Sequence, residues 1–142
     1  MTGVKRGAVI GVWAATVAAA FAAGWVTAPP KSASAPDDFG AAIRAALAEK
    51  DGVDRAERTA SVLQQLDPEN VLEVAAVYDR MLNILDELDL RPFAIAWARF
   101  DPAAALDHIL GWRFVDKQKI AAGAVFERWA MRDPIGALQA YE

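Results

Sequence analysis

A short sequence motif that contains Asp-Pro occurs three times in this chain and constrains its fold more than any other feature. An aromatic residue or leucine is followed, after three residues, by Asp-Pro and a small, apolar run; the pairs are Asp67-Pro68, Asp101-Pro102 and Asp133-Pro134. Successive pairs lie 34 and 32 residues apart. Periods of about 20–50 residues are typical of stacked supersecondary units. The sequence therefore predicts a repeat architecture.

The chemistry of each Asp-Pro pair indicates a helix boundary. An aspartate side chain accepts hydrogen bonds from the free N–H groups of a helix's first turn, and its charge suits the positive end of the helix dipole. Proline is tolerated in the next position because its missing N–H has no helical partner there. Proline also disfavours a helical conformation in the residue before it, so the preceding helix must stop. Each pair therefore predicts a helix, a sharp turn and a second helix.

Apolar spacing of three and four residues predicts helices throughout residues 37–142. We expect the first helix to end at Asp51-Gly52, Pro92 to open a short helix after a break at 86–91, and Asp116 to cap a helix that reaches Arg132. The segment 112–115 is interpreted as an apolar linker packed on a helical hairpin. The remaining predicted helices cover approximately 54–66, 71–85, 101–111 and 133–142.

The N-terminal segment predicts a membrane-targeting element. Residues 1–6 are short and basic, and residues 7–28 carry no charge over a length that can cross a bilayer as a helix. One interpretation is an uncleaved anchor, with Lys5 and Arg6 keeping residues 1–6 in the cytoplasm. The other is a cleaved signal peptide, because small residues occur at cleavage-like spacing within 20–24. Residues 29–36, rich in proline, serine and alanine, predict a linker.

Both interpretations place residues 37–142 outside the cytoplasmic membrane. With an anchor, the protein is single-pass and its folded part is extracytoplasmic, which means periplasmic in a Gram-negative cell; with a cleaved signal peptide, it is secreted. Gly7 and Gly11 begin a ladder of small residues that permits close approach of two membrane helices. A homodimer formed through this face is therefore one prediction.

Composition narrows the classes of function. Residues 37–142 hold 12 basic and 19 acidic side chains, and an acidic body does not provide the basic surface that nucleic-acid binding requires. The chain has no cysteine and one histidine, His108, so the sequence predicts neither a thiolate metal site nor a histidine-based catalytic system. It contains no glycine-rich phosphate-binding loop. We accordingly expect no catalytic residue, no cofactor and no metal.

The segment 66–70, Leu-Asp-Pro-Glu-Asn, resembles the turn between tetratricopeptide repeats. The register departs from that family at Tyr78, which stands where the family prefers glycine. The phrase Trp-Ala-x-x-Asp-Pro-x-x-Ala-Leu at 97–106 and 129–138 resembles a divergent repeat found in uncharacterised bacterial exported and membrane proteins. The resemblance implies an all-α fold of antiparallel helix pairs, an α-solenoid-like array, and it implies no chemistry.

Three tryptophans and two arginines are the candidate binding residues. Trp97, Trp112 and Trp129 allow two interpretations: they fill the core between helices, or they anchor a peptide or partner helix in a groove. If a groove exists, Arg99 and Arg113 are the residues predicted at its rim. These five residues form the predicted partner-binding set.

The predicted function is protein–protein interaction without catalysis, by a helical-repeat domain held near a membrane. One alternative is an accessory repeat domain of an enzyme whose catalytic part lies beyond residue 142. Another is a structural membrane protein that dimerises through residues 7–28. The last predicted helix stops within about two turns in the middle of a repeat, so we expect further repeats to follow it.

Overall fold

The structure, a computed structural model, describes residues 35–142, which form seven α-helices and no β-strand. The prediction of an all-α fold for 37–142 is confirmed. The predicted cytoplasmic segment 1–6, the membrane segment 7–28 and most of the linker 29–36 lie outside the described residues. In chain order the helices are α1 (Phe39–Leu47), α2 (Gly52–Gln64), α3 (Val71–Met81), α4 (Glu87–Ala98), α5 (Pro102–Leu110), α6 (Val115–Ala130) and α7 (Pro134–Tyr141).

The helices follow one another in a repeat-like arrangement. Helices α1, α3, α5 and α7 begin 31 or 32 residues apart, and each of the first three is followed by a partner helix. Helix α1 packs on α2 and α3, α2 packs on α4, and α4 packs on α5 and α6. Helix α6 also contacts α5 and α7. No helix within 35–142 has the length and apolar character needed to cross a bilayer.

Side-chain bonds between helices join residues about one repeat apart. Arg99 donates to the carbonyl of Leu66, Trp112 donates to Asp79, and Arg132 donates to the carbonyl of Arg99. Each of these pairs is separated by 33 residues in the sequence. The chain therefore bonds successive repeats to one another at equivalent positions, which supports the repeat interpretation.

Two of the three Asp-Pro pairs start helices as predicted. Asp101 accepts a hydrogen bond from the backbone of Ala104 at 3.0 Å, and Asp133 accepts one from Gly136 at 2.9 Å. The proline after each aspartate opens α5 and α7. Asp67 instead caps a turn, because its side chain accepts from the backbone of residues 69 and 70, and α3 starts only at Val71.

Loss of one such cap tests this account of the helix boundaries. We expect Asp101→Ala to lower the free energy of unfolding by about 1 kcal/mol, because the first turn of α5 loses an acceptor for a free N–H group. Urea unfolding followed by circular dichroism measures the change. Asp107→Ala, on the exposed face of the same helix, is the matched control and should shift stability by less than about 0.5 kcal/mol. Equal losses in both variants would contradict the capping role.

Several predicted boundaries are wrong, each for a local reason. The first helix ends at Leu47 rather than at Asp51-Gly52; Asp51 instead caps α2, which begins at Gly52, because its side chain accepts from two backbone N–H groups. Helix α3 ends at Met81 rather than near 85. Pro92 does not open a helix: α4 begins at Glu87, and Pro92 lies inside it. Asp116 is not the cap of α6, since that helix begins at Val115.

The core is centred on an aromatic cluster between α3 and α4. Phe93 and Tyr78 are fully buried, and their stacked rings lie 4.1 Å apart between centroids. The ring centroid of Trp97 lies 5.7 Å from that of Phe93. The hydroxyl of Tyr78 donates to the carbonyl of Asp89 at 3.3 Å. Burial raises the pKa of Tyr78 well above its ordinary value, with a smaller contribution from the nearby charge of Asp89. The hydroxyl therefore stays a neutral donor, and the cluster positions α4 against α3.

Candidate functional site

An apolar groove lies at the surface between α2 and α4 and has a volume of about 340 Å³. Pro92 and Ile95 of α4 line it, and Leu88, four residues before Pro92, lies on the same face of that helix. Leu88 is 79% exposed and Ile95 is 36% exposed. We call this surface the α2–α4 groove; it is lined by Ala60, Leu63, Gln64, Pro92, Ile95, Ala96 and Arg99.

Arg99 fixes one end of the α2–α4 groove. Its guanidinium group donates to the carbonyls of Leu63 at 3.1 Å and Leu66 at 3.2 Å, at the C-terminal end of α2. The last carbonyls of a helix have free acceptor capacity, and a positive charge at a helix C-terminus is favourable. Arg99 is thus held in place by the fold, and it presents a fixed positive charge beside the apolar wall.

A second cavity, of about 290 Å³, adjoins the groove toward the N-terminal ends of α2 and α4. Ala60 and Pro92 line both, so the two form one continuous depression. We call it the Thr59 cavity; its lining residues are Gly52, Arg55, Ala56, Thr59, Ala60, Leu88, Asp89 and Pro92. Its wall combines apolar and small side chains with three polar ones, which makes it the polar end of an otherwise apolar surface.

The polar residues of the Thr59 cavity come from two helices one repeat apart. Asp89 is 5% exposed and belongs to a capping box, in which the side chains of Asp86 and Asp89 each accept from the other's backbone N–H. Arg55 on α2 places its Nε atom 3.5 Å from the Asp89 carboxylate. The carboxylate is thereby fixed in the cavity wall with a guanidinium beside it.

A third depression, the α3–α5 cleft, has a volume of about 460 Å³ and is more polar. Its centre is the carboxylate of Asp79, whose Oδ1 lies 3.0 Å from Nε2 of His108 and accepts from the indole of Trp112 at 2.9 Å. Trp97 packs on the other side of the His108 ring at 5.1 Å. These bonds join α3 to α5, so the arrangement explains how two repeats are held together. The residues lining this cleft include no serine or threonine.

The structure separates the five predicted binding residues. Trp97 is 3% exposed and lies in the core, whereas Trp112 and Arg113 line the α3–α5 cleft. Arg99 ends the α2–α4 groove. Trp129 is half-buried in a different depression, beside Phe100 and Pro102. Of the five, Trp112 and Arg113 share a cleft, and the core interpretation describes Trp97 and also Trp112, which is 7% exposed.

Arg99 apart, the side chains that line the α2–α4 groove and the Thr59 cavity are not among the predicted site residues. Ile95, Pro92 and Thr59 belong to helices whose relative register is set by tertiary packing, so their proximity has no signal in the local sequence. The structure places Pro92 inside α4, and a proline within a helix is unfavourable unless another constraint retains it.

Within residues 35–142, no group of three or more histidine, cysteine, aspartate or glutamate side chains is placed to hold a metal ion. No protein-family model matches the chain, and the comparisons with curated proteins and with solved structures likewise gave no match. The geometry of the described residues is thus the basis on which function is inferred.

Proposed function

We propose that this chain is a membrane-tethered, extracytoplasmic helical-repeat module that binds a segment of another protein in the α2–α4 groove, without catalysis. The observation that carries the proposal is a row of exposed apolar side chains on α4: Pro92 and Ile95 line the α2–α4 groove together with Ala60 and Leu63 of α2, and Leu88 continues the row into the adjoining cavity. An exposed apolar stripe at helical spacing is the form of surface that accepts the apolar face of a partner segment.

The dimensions of the stripe suit a short segment. Seven residues separate Leu88 from Ile95, which corresponds to about 10 Å along a helix. That length accommodates about two turns of an amphipathic helix, whose apolar side chains recur at three- and four-residue spacing. The occupant we propose is therefore a short amphipathic helical segment of a separate protein.

The charge of the module favours a partner with basic residues near its apolar ones. Residues 37–142 carry a net charge of −7. Asp51, Asp54, Asp86 and Glu87 lie at the N-terminal ends of α2 and α4, where the Thr59 cavity is located. Complementary charge guides encounter and orients a bound segment. We therefore expect basic side chains at the end of the partner segment that lies nearest Gly52.

The proposed tether is the uncharged segment 7–28, with residues 29–36 as the spacer. A stretch of this length spans the hydrocarbon part of a bilayer, and the basic residues before it favour a cytoplasmic N-terminus. A tethered groove meets only partners on its own side of the membrane, which restricts the segments it can bind.

A substitution that blocks the α2–α4 groove tests the proposal. A random peptide library is panned on the full chain in detergent, and the enriched peptides are titrated against wild type and Ile95→Glu. We expect peptides with apolar residues at helical spacing, and at least a tenfold weaker affinity for Ile95→Glu, because the new carboxylate must be desolvated against the apolar side chains of the peptide.

Leu72→Glu is the matched control, because Leu72 is an exposed apolar residue of α3 outside the α2–α4 groove. Its affinity for the peptides should equal that of wild type. Failure to enrich any peptide, or an equal loss of affinity in both variants, would contradict binding in this groove.

A further inference from the structure

One buried side chain of the Thr59 cavity carries a hydroxyl group that the fold leaves unbonded. Thr59 is 4% exposed, yet its hydroxyl oxygen has no hydrogen-bond partner among the described residues. Its side chain lines the Thr59 cavity. A buried hydroxyl without a partner is unfavourable and uncommon in folded proteins, so its position in a cavity wall points to a group supplied from outside.

Asp89, in the same wall, has unused capacity to accept hydrogen bonds. One carboxylate oxygen accepts from the backbone of Asp86 at 3.2 Å. The other lies 3.5 Å from Nε of Arg55, which is longer than a good hydrogen bond. An ionised carboxylate offers about four acceptor positions. The Asp89 carboxylate can therefore receive further donors from the cavity.

Pro92 leaves a third acceptor beside them. Proline has no backbone N–H, so it cannot donate to the carbonyl four residues earlier, which is that of Leu88. Leu88 and Pro92 both line the Thr59 cavity. The missing N–H of Pro92 and the hydroxyl of Thr59 that lacks a partner thus occur beside one cavity, and the Leu88 carbonyl and the Thr59 hydroxyl are both acceptors there.

The ligand group that matches these acceptors is a cation with several donors. The ammonium group of lysine carries three N–H donors and no acceptor, and its aliphatic stem packs well on apolar surface. Ala56, Ala60 and Pro92 provide such a surface along the cavity wall. Arg55 offsets the charge of Asp89, but the acidic residues at the N-terminal ends of α2 and α4 leave the surroundings negative.

We propose that the Thr59 cavity receives a lysine side chain of the partner segment, with the ammonium group donating to Thr59 Oγ1, the Asp89 carboxylate and the Leu88 carbonyl. This inference rests on the proposed function, because the lysine belongs to the segment whose apolar residues occupy the α2–α4 groove. The groove then provides apolar contact, and the Thr59 cavity selects for a basic side chain at one end of it.

The test compares one enriched peptide with the same peptide in which lysine is replaced by norleucine, which keeps the aliphatic stem and lacks the ammonium group. Both are titrated against the full chain in detergent. We expect norleucine to weaken binding to wild type about tenfold, and Thr59→Val to reduce that difference to about threefold or less. Thr59→Ser, which keeps the hydroxyl, should retain the wild-type discrimination.

The outcomes separate this inference from the proposed function. If both peptides bind wild type equally and Ile95→Glu still weakens binding at least tenfold, binding in the α2–α4 groove is supported and the inference that the Thr59 cavity binds lysine is overturned. If Thr59→Val leaves the ratio of affinities for the lysine and norleucine peptides unchanged, the inference about lysine is also overturned. If neither peptide binds wild type, both proposals fail. Should Thr59→Val not fold, Pro92→Ala is the second variant, because it restores an N–H donor to the Leu88 carbonyl and should lower the same ratio.

Discussion

Replacing Phe93 by alanine should lower the free energy of unfolding by about 3–5 kcal/mol, the range typical of a large buried aromatic residue. Phe93 is fully buried, stacks on Tyr78 and contacts Trp97, so its removal opens a cavity in the centre of the aromatic cluster. Total stabilities of single domains are about 5–15 kcal/mol. The variant should therefore unfold at a much lower urea concentration, measured by circular dichroism.

Leu88→Ala is the matched control for Phe93→Ala. Leu88 lies on the same helix but is 79% exposed, so its truncation removes little buried surface. We expect a change within about 0.5 kcal/mol, as for most surface substitutions. A small effect of Phe93→Ala, or similar effects in both variants, would contradict the position of Phe93 at the centre of the core.

Replacing Arg99 by leucine should lower the free energy of unfolding by about 2–3 kcal/mol, although Arg99 is only half-buried. Hydrogen bonds that involve a charged group contribute about 1.5–3 kcal/mol each, and partial exposure reduces the total for this side chain. The substitution leaves the carbonyls of Leu63, Gln64 and Leu66 without the guanidinium group that now bonds all three. Urea unfolding measures the loss.

Arg113→Leu is the control for Arg99→Leu, because Arg113 is exposed and its guanidinium group packs over the ring of Phe114. Its replacement should change stability by less than about 1 kcal/mol. Arg99→Lys should be intermediate, since a single ammonium group reproduces only part of the planar array of donors. If Arg99→Leu is no more destabilising than Arg113→Leu, the claim that Arg99 stabilises the contact between successive repeats is wrong.

The parts of the fold that depend on local chemistry were predictable from the sequence. Asp101 and Asp133 cap helices because an aspartate followed by proline favours that geometry. Asp67 has the same local sequence, but Asn70 competes: its side chain accepts from the backbone of Asp67 and donates to the carbonyl of Gln65. These bonds form a turn, and α3 starts after it.

Other boundaries depend on contacts that no local pattern contains. The apolar spacing continues from Met81 to Leu85, yet α3 ends at Met81. Lys117, from α6, donates to the carbonyls of Leu82 and Leu85, which stabilises the turn that follows the helix. Proline favours the first turn of a helix, so the sequence predicts a helix start at Pro92, but the capping box that begins at Asp86 starts α4 five residues before it.

The residues of the candidate site also depend on contacts that no local sequence pattern contains. Trp112 and Arg113 were predicted as binding residues and do share a cleft, because they are adjacent in the sequence. The α2–α4 groove and the Thr59 cavity instead need residues about one repeat apart, such as Ala60 and Pro92, to face one another. The repeat period predicts that these segments stack. It does not specify which side chains meet, since that depends on the register between the two helices.

The most direct test of the central claim, that a partner segment binds between α2 and α4, is NMR mapping of an enriched peptide on the isotope-labelled full chain in detergent. We expect the largest amide shifts at residues of the groove and the adjoining cavity, Ala60, Leu88 and Ile95 among them. Shifts concentrated instead at Asp107, His108 and Arg113 would place binding in the α3–α5 cleft and contradict the claim.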